Sequence, residues 1–151
     1  MTLIREFKPQ KDDERLYDIA LGSLDEIYNP NVFSSFYALW PQGQLVAVDL
    51  FDEPMGYISA VRLKDGWARI MMLAVDEGNR GNGIGSELLS RFKFEAVRSG
   101  INAITLEVKK DNEKAIRFYE KNGFRKIRAL PRFYADGSDG MRMDSSAHLY
   151  I

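Results

Sequence analysis

The chain has 151 residues, 45% apolar and 28% charged, with a formal net charge of −1 and an isoelectric point near 5.9. That length encloses one substantial core, and the composition is that of an ordinary globular chain rather than a disordered one. The near-neutral balance gives no electrostatic case for nucleic acid or an acidic membrane surface, and the absence of cysteine excludes a disulfide framework, thiolate metal sites and a cysteine nucleophile.

Thr2 to Phe7 alternates and predicts a first strand. Pro9 opens a helical stretch in which Leu16, Ile19 and Ala20 recur at helix spacing, and Gly22 ends it. A second short helix is predicted over Val32 to Leu39, stopped by Pro41. Strands follow at Gln44 to Phe51, Met55 to Leu63 and Trp67 to Val75. Lys64-Asp65-Gly66 between the last two holds Asp-Gly, a strong hairpin signal. The middle of the chain therefore reads as an antiparallel meander.

Beyond it, Asp76 to Gly83 is polar and glycine-rich. Ile84, Leu88, Leu89, Phe92 and Ala96 then mark the buried stripe of a long helix that Gly100 ends. Ile101 to Val108 predicts a strand and Asp111 to Asn122 a helix, with Gly123 suited to the left-handed residue past a helix end. Phe124 to Ala129 and a short stretch around Met141 to Met143 complete the strands. The order is β-α-α-β-β-β-α-β-α-β-β: one mixed α/β domain over residues 1–144, with residues 145–151 read as a loose tail. No apolar run approaches the roughly 20 residues of a membrane span, and the start lacks the apolar centre of a signal peptide. The chain reads as cytoplasmic, with no membrane or nucleic-acid partner. The single histidine, His148, has no second ligand-type residue at metal spacing and reads as a surface residue, so no metal is expected.

The stretch from Val75 to Gly85 joins a predicted strand to a predicted helix. Backbone N–H groups at a helix start lack partners and carry partial positive charge, and glycines let an anion approach them closely. A pyrophosphate site is the functional reading, and a mobile surface loop the plain one. A P-loop would need a lysine before Ser86. A dinucleotide fingerprint would need glycine at Ser86 and a βαβ setting instead of a hairpin. The spacing that fits is R-x-x-G-x-G, read as Arg80, Gly83 and Gly85.

This loop resembles the coenzyme A pyrophosphate loop of GNAT acetyltransferases. Asn112 to Phe124 is similar to that family's N-x-x-A-I-x-x-Y-x-K-x-G-F segment, and with the element order the resemblance spans Thr2 to Asp144. It implies the GNAT fold, a mixed sheet of about seven strands flanked by about four helices, with acetyl-CoA as cosubstrate. Leu106-Glu107-Val108 and the Arg132 to Asp139 stretch are similar to protein N-terminal acetyltransferases of the RimI and archaeal Ard types, and Leu24 to Asn29 loosely resembles an Ard-type loop. The implied reaction is acetyl transfer to the α-amino group of a protein N-terminus, with the ribosome or a ribosomal protein as a further partner the resemblance implies. The alternatives are a GNAT acting on small amines or lysine side chains, and an acetyl-CoA-binding module without turnover.

The resemblance also implies roles. Arg80, Gly81, Asn82, Gly83, Ile84, Gly85 and Ser86 would hold the pyrophosphate. Leu73, Ala74 and Val75 would offer backbone groups to the pantetheine, with the Val75 N–H as oxyanion donor. Some relatives use a tyrosine on the central strand and a histidine on the next. Arg69 and Glu107 stand there instead, so no Tyr/His mechanism is expected. Glu107 is the candidate general base, expected to be partly desolvated, against the plain reading of an exposed strand carboxylate. Tyr119 is the candidate acid for the leaving thiolate and a cofactor contact, against that of a core aromatic. Asn112 would contact the pantetheine, with helix capping as its competing role. Glu26, Tyr28 and Tyr134 would line the acceptor entrance.

Overall fold

Asp65 and Gly66 both take positive φ (59° and 78°), and this left-handed pair closes the predicted hairpin between β3 (Pro54–Arg62) and β4 (Trp67–Val75). The computed structural model describes residues 2–23 and 29–148. Its other elements are β1 (Leu3–Glu6), α1 (Asp13–Ser23), α2 (Val32–Leu39), β2 (Gln44–Val48), α3 (Ile84–Arg98), β5 (Ala103–Lys109), α4 (Glu113–Lys121), β6 (Arg125–Leu130) and β7 (Gly140–Ser146). Short 3-10 turns precede β2 and follow β4. The strands form one sheet in the order β1-β2-β3-β4-β5-β7-β6. Every neighbouring pair is antiparallel except β4 with β5. The mixed α/β architecture with seven strands and four α-helices is the one the sequence led us to expect.

Two cores lie on the two faces of the sheet. Helices α3 and α4 cover one, where Leu88, Leu89, Phe92 and Ile116 meet Ile58, Ile104 and Leu106. Helices α1 and α2 cover the other over β2 to β4 alone, where Leu16, Ile19 and Phe33 meet Val46, Tyr57 and Met72. None of the described helices is long and apolar enough to cross a membrane.

Three boundaries differ from the sequence reading. Helix α1 begins at Asp13, not Pro9, because Gln10 takes a positive φ of 72° and Asp12 is drawn inward by Arg5. Strand β2 ends at Val48, because the Asp49 carboxylate accepts from the N–H groups of Phe51 and Glu53 and folds the chain into a turn. The tail placed at 145–151 begins inside β7. Ser145 and Ser146 pair with Ile104 and Ala103, and Ala147 is fully buried and donates its N–H to the carbonyl of Asn102. The alternation of Met141 and Met143 was visible, whereas the small polar residues that continue the strand carry no apolar pattern.

Candidate active site

Strands β4 and β5 pair only from Trp67–Ala103 to Arg69–Thr105, and beyond that point they part. The parting coincides with a bulge. Ser59 faces Met72 and Ala60 faces Ile70, so Met71 is the extra residue on β4. Ahead of it, Ala68 and Ile70 point into the α3–α4 core, and after it Met72 and Ala74 point into the α1–α2 core. Leu73 and Val75 are thereby turned onto the α3–α4 side, at the mouth of the opened seam.

A cleft of about 480 Å³ runs from there between the first turns of α3 and α4. Its lining includes Leu73, Val75, Arg80, Gly81, Gly83, Ile84, Gly85, Ser86, Asn112 and Tyr119, each anticipated from the sequence. Gly83 caps α3 at φ 78° with no side-chain bond to the helix start, so the first N–H groups of α3 face the cleft. A side chain on Gly83 would meet no protein atom, which leaves its approach open to a ligand. Gly85 has another reason to lack one. A Cβ there would stand 3.2 Å from the Phe118 ring, and this close contact sets α3 against α4. Arg80 Nε donates to the Val75 carbonyl at 3.1 Å, fixing the loop to the end of β4. The anion-holding donors are thus backbone groups and one guanidinium, a set that fits a pyrophosphate.

Asn112 caps a helix and lines the cleft at once. Its Oδ1 accepts from the Ala115 N–H at 3.1 Å, capping α4, and it also lines the cleft. Tyr119 lies at the inner end, 9% exposed, with its ring edge-on to Phe118 and Phe124. Its hydroxyl has no hydrogen bond among the described residues. The residue is part of the cleft lining. Burial pushes its pKa above the ordinary value, and Tyr134 adds to the effect, so the phenol stays protonated through the neutral range.

On the opposite face, Glu107 meets Arg69. The guanidinium sends Nε and Nη2 to the same oxygen, Oε1, at 2.8 and 2.6 Å. Oε2 receives no hydrogen bond from the described residues. Glu107 is partly buried, with its side chain 15% exposed, but its nearest neighbour is a cation and not an apolar wall. Around it Thr105 donates to Asp144, Asp144 pairs with Arg142, and the Arg142 guanidinium lies 5.6 Å over Trp67.

The profile of the acetyltransferase (GNAT) family matches residues 13–124, about three-quarters of the chain. The chain belongs to that family. Among its relatives is the N-alpha-acetyltransferase 30 of Schizosaccharomyces pombe, 34% identical over 126 residues and covering 79% of this chain and 81% of that one. The crystal structure of Ard1 from Thermoplasma volcanium is similar at 36% identity with a TM-score of 0.91, covering 96% of this chain and 97% of that one. The NatC complex bound to Gag peptide and CoA matches with a TM-score of 0.86 at 23% identity, over 96% and 98% of the two chains, a likeness of fold.

Within this GNAT acetyltransferase, other anticipated residues are placed differently. Ala74 turns its side chain into the α1–α2 core, leaving only its backbone for a ligand, and Asn82 is exposed outside the cleft lining. Glu26 and Tyr28 lie outside the described residues. Tyr134 sits in a turn closed by the Tyr134 and Ser138 backbones, 5.7 Å from the Lys109 ammonium and near enough to Tyr119 to act on its ionisation. Ser138 and then Lys109 hold the Asp136 carboxyl of this turn well below the usual carboxylate range. Sequence reading missed Asn79, Lys114, Ala115 and Phe118 in the cleft. Phe118 was legible in principle, one residue from Tyr119 and three from Ala115, on the same helix flank.

Proposed function

We propose that the protein transfers the acetyl group of acetyl-CoA to the α-amino group of a polypeptide N-terminus. The observation that carries this is the parted seam between β4 and β5. The cleft that fits a pyrophosphate ends at Tyr119 on the α3–α4 face. Strand alternation puts Glu107 on the other face, opposite Leu106 and Val108 in the core. An amine approaching from the acceptor side would meet a thioester through the gap.

Acetyl-CoA supplies the acetyl thioester. Arg80 and the first turn of α3 bind its pyrophosphate, while the β4 edge from Leu73 to Val75 orients the pantetheine. A backbone donor at the oxyanion is worth about 3 kcal/mol in other enzymes, and the Val75 N–H is our candidate for it. As the nitrogen attacks the carbonyl carbon, a C–N bond forms and the C–S bond breaks. Glu107, through Oε2, takes the proton shed by nitrogen, and the Tyr119 hydroxyl gives one to sulfur. A free α-amine titrates near about 8 and a lysine side chain near about 10.4, so a modest base suffices for the first at neutral pH. The Schizosaccharomyces pombe relative, an N-alpha-acetyltransferase by name, supports the same acceptor.

The test is acetyl-CoA turnover against a peptide library varied at its first two residues, with amino-terminal and lysine products separated by mass. Amino-terminal products are expected. Acetyl found only on lysines or small amines overturns the acceptor while leaving the family in place.

A further inference from the structure

The net charge of −1, which by itself gave no case for nucleic acid, averages over two opposed regions, and their separation reverses that expectation. Between Lys109 and Arg132 stand nine basic and three acidic residues, a local charge of +6, which leaves −7 on the rest of the chain. Elsewhere the described arginines and lysines are mostly paired: Arg5, Lys8, Lys11, Arg15, Arg69, Arg91, Arg98 and Arg142 all meet carboxylates. In the basic stretch, Lys110, Lys121, Arg125, Lys126, Arg128 and Arg132 are exposed and make no ion pair with the described residues.

The fold gathers these six along one border. Strand β6 is the outer strand of the sheet, and it follows directly on Lys121 at the end of α4. Arg132 lies just past its far end. Lys110 joins that end because Leu130 and Lys109 both face Gly140 across β7. Six residues of strand make the border roughly 20 Å long. A register shift between Lys126 and Arg128 leaves Arg125 opposite Asp144 and Arg128 opposite Arg142, so both arginines share one side of the border despite their odd spacing. The border offers chiefly cations; its half-exposed apolar side chains are Ile127 and, past Arg132 at the far end rather than the centre, Phe133.

We infer that this border binds a nucleic-acid phosphate backbone, a function separate from acetyl transfer and not dependent on it. A row of unneutralised cations is held together at a cost in mutual repulsion, and a line of phosphates relieves it. A protein partner would instead call for an apolar or aromatic anchor at the centre of the patch, and lysine is depleted in such interfaces. The acidic remainder of the chain turns the border toward the polyanion.

The experiment measures binding of a labelled 20-nucleotide single-stranded RNA by anisotropy from ~50 to ~200 mM salt, with saturating coenzyme A so that the cleft is blocked to it. The logarithm of the association constant should fall linearly with that of salt, by about 0.7 per neutralised phosphate. Replacing Arg125, Lys126 and Arg128 by Gln should weaken binding at least ~10-fold and flatten the slope by about 2. Its acetylation of a free peptide should match the parent's. Lys110→Gln with Lys121→Gln should weaken binding in the same direction and flatten the slope by about 1.4 without touching the strand, and Lys64→Gln, outside the border, should bind like the parent. A DNA duplex run in parallel names the source of the phosphates, since tight binding of either nucleic acid supports the inference. It is overturned if the Gln variants bind RNA as the parent does, or if an oligoglutamate of matched charge binds more tightly than either nucleic acid.

Discussion

Arg5 on β1 and Arg69 on β4 each grip a carboxylate, and the two pairs are wired differently. Arg5 spreads its donors over both oxygens of Asp12, at 2.8 and 3.0 Å, and Asp12 also accepts the Lys8 N–H at 2.8 Å. The remaining Arg5 nitrogen bonds Asp52, and Asp12 is 1% exposed. Every polar atom there is used, and the pair closes the turn between β1 and α1. Arg69 brings one hydrogen bond and its closest ion-pair contact to the same oxygen of Glu107 and leaves the other without a bond at the parted seam. A saturated pair holds structure, whereas a half-satisfied, partly buried carboxylate is kept for something that arrives. The distances alone would not separate them.

Glu107→Gln breaks the comparison most sharply. It keeps the size of the side chain and removes the base, so kcat should fall about 10²-fold. Part of that loss should return at higher pH, where the amine deprotonates unaided. The thermal midpoint should barely move, because Arg69 keeps access to water. Full activity at neutral pH would return Glu107 to an ordinary surface pair. Asp12→Asn should do the reverse. It leaves the Arg5 guanidinium without its buried counter-charge and should cost about 2 to 3 kcal/mol by denaturant unfolding, with kcat per folded molecule unchanged.

Arg69→Gln sharpens the contrast further. If Arg69 holds Oε1 so that Oε2 faces the seam, its loss should lower kcat by about 10-fold while leaving the acetyl-CoA KM alone. Arg69→Lys should restore part of the rate. The double variant with Glu107→Gln should be no slower than Glu107→Gln by itself, because positioning a missing base has no further effect. Additive losses would mean that Arg69 acts on something other than Glu107.

The two pairs also mark where sequence reading reached and where it stopped. Glycine spacing at a strand–helix junction announced the cleft, and Arg80, Gly83 and Gly85 line it or border it as their spacing required, because the signal and the geometry are both local. Glu107 was legible as a polar residue on an otherwise buried strand. Its partner was not, since Arg69 lies 38 residues away and meets it only because β4 and β5 pair in parallel at Arg69–Thr105. The bulge at Met71 was equally silent. Trp67 to Val75 is one unbroken strand in sequence, and only pairing with β3 reveals that its two halves face opposite cores. The end of β7 was lost for want of apolar residues, although Ser145 is buried and receives a hydrogen bond from Lys93 at 3.0 Å.

Asp52 yields the smallest effect and tests the structural pair by pH. Lys11 first, and Arg5 second, hold its carboxyl well below the ordinary value of 3.8. The folded protein therefore binds this proton less readily than the unfolded chain does. The resulting stabilisation is fully present above about pH 4 and is lost as the pH falls through the lower folded value. The site is open to solvent and its lysine partners are exposed, so the contribution should be slight and should shrink in ~1 M salt. Thermal midpoints of the parent and Asp52→Asn, followed from about pH 5 to about pH 2.5, should converge as acid removes from the parent what the substitution has already taken. Parallel curves for the parent and Asp52→Asn would mean that Arg5 is held by Asp12 alone.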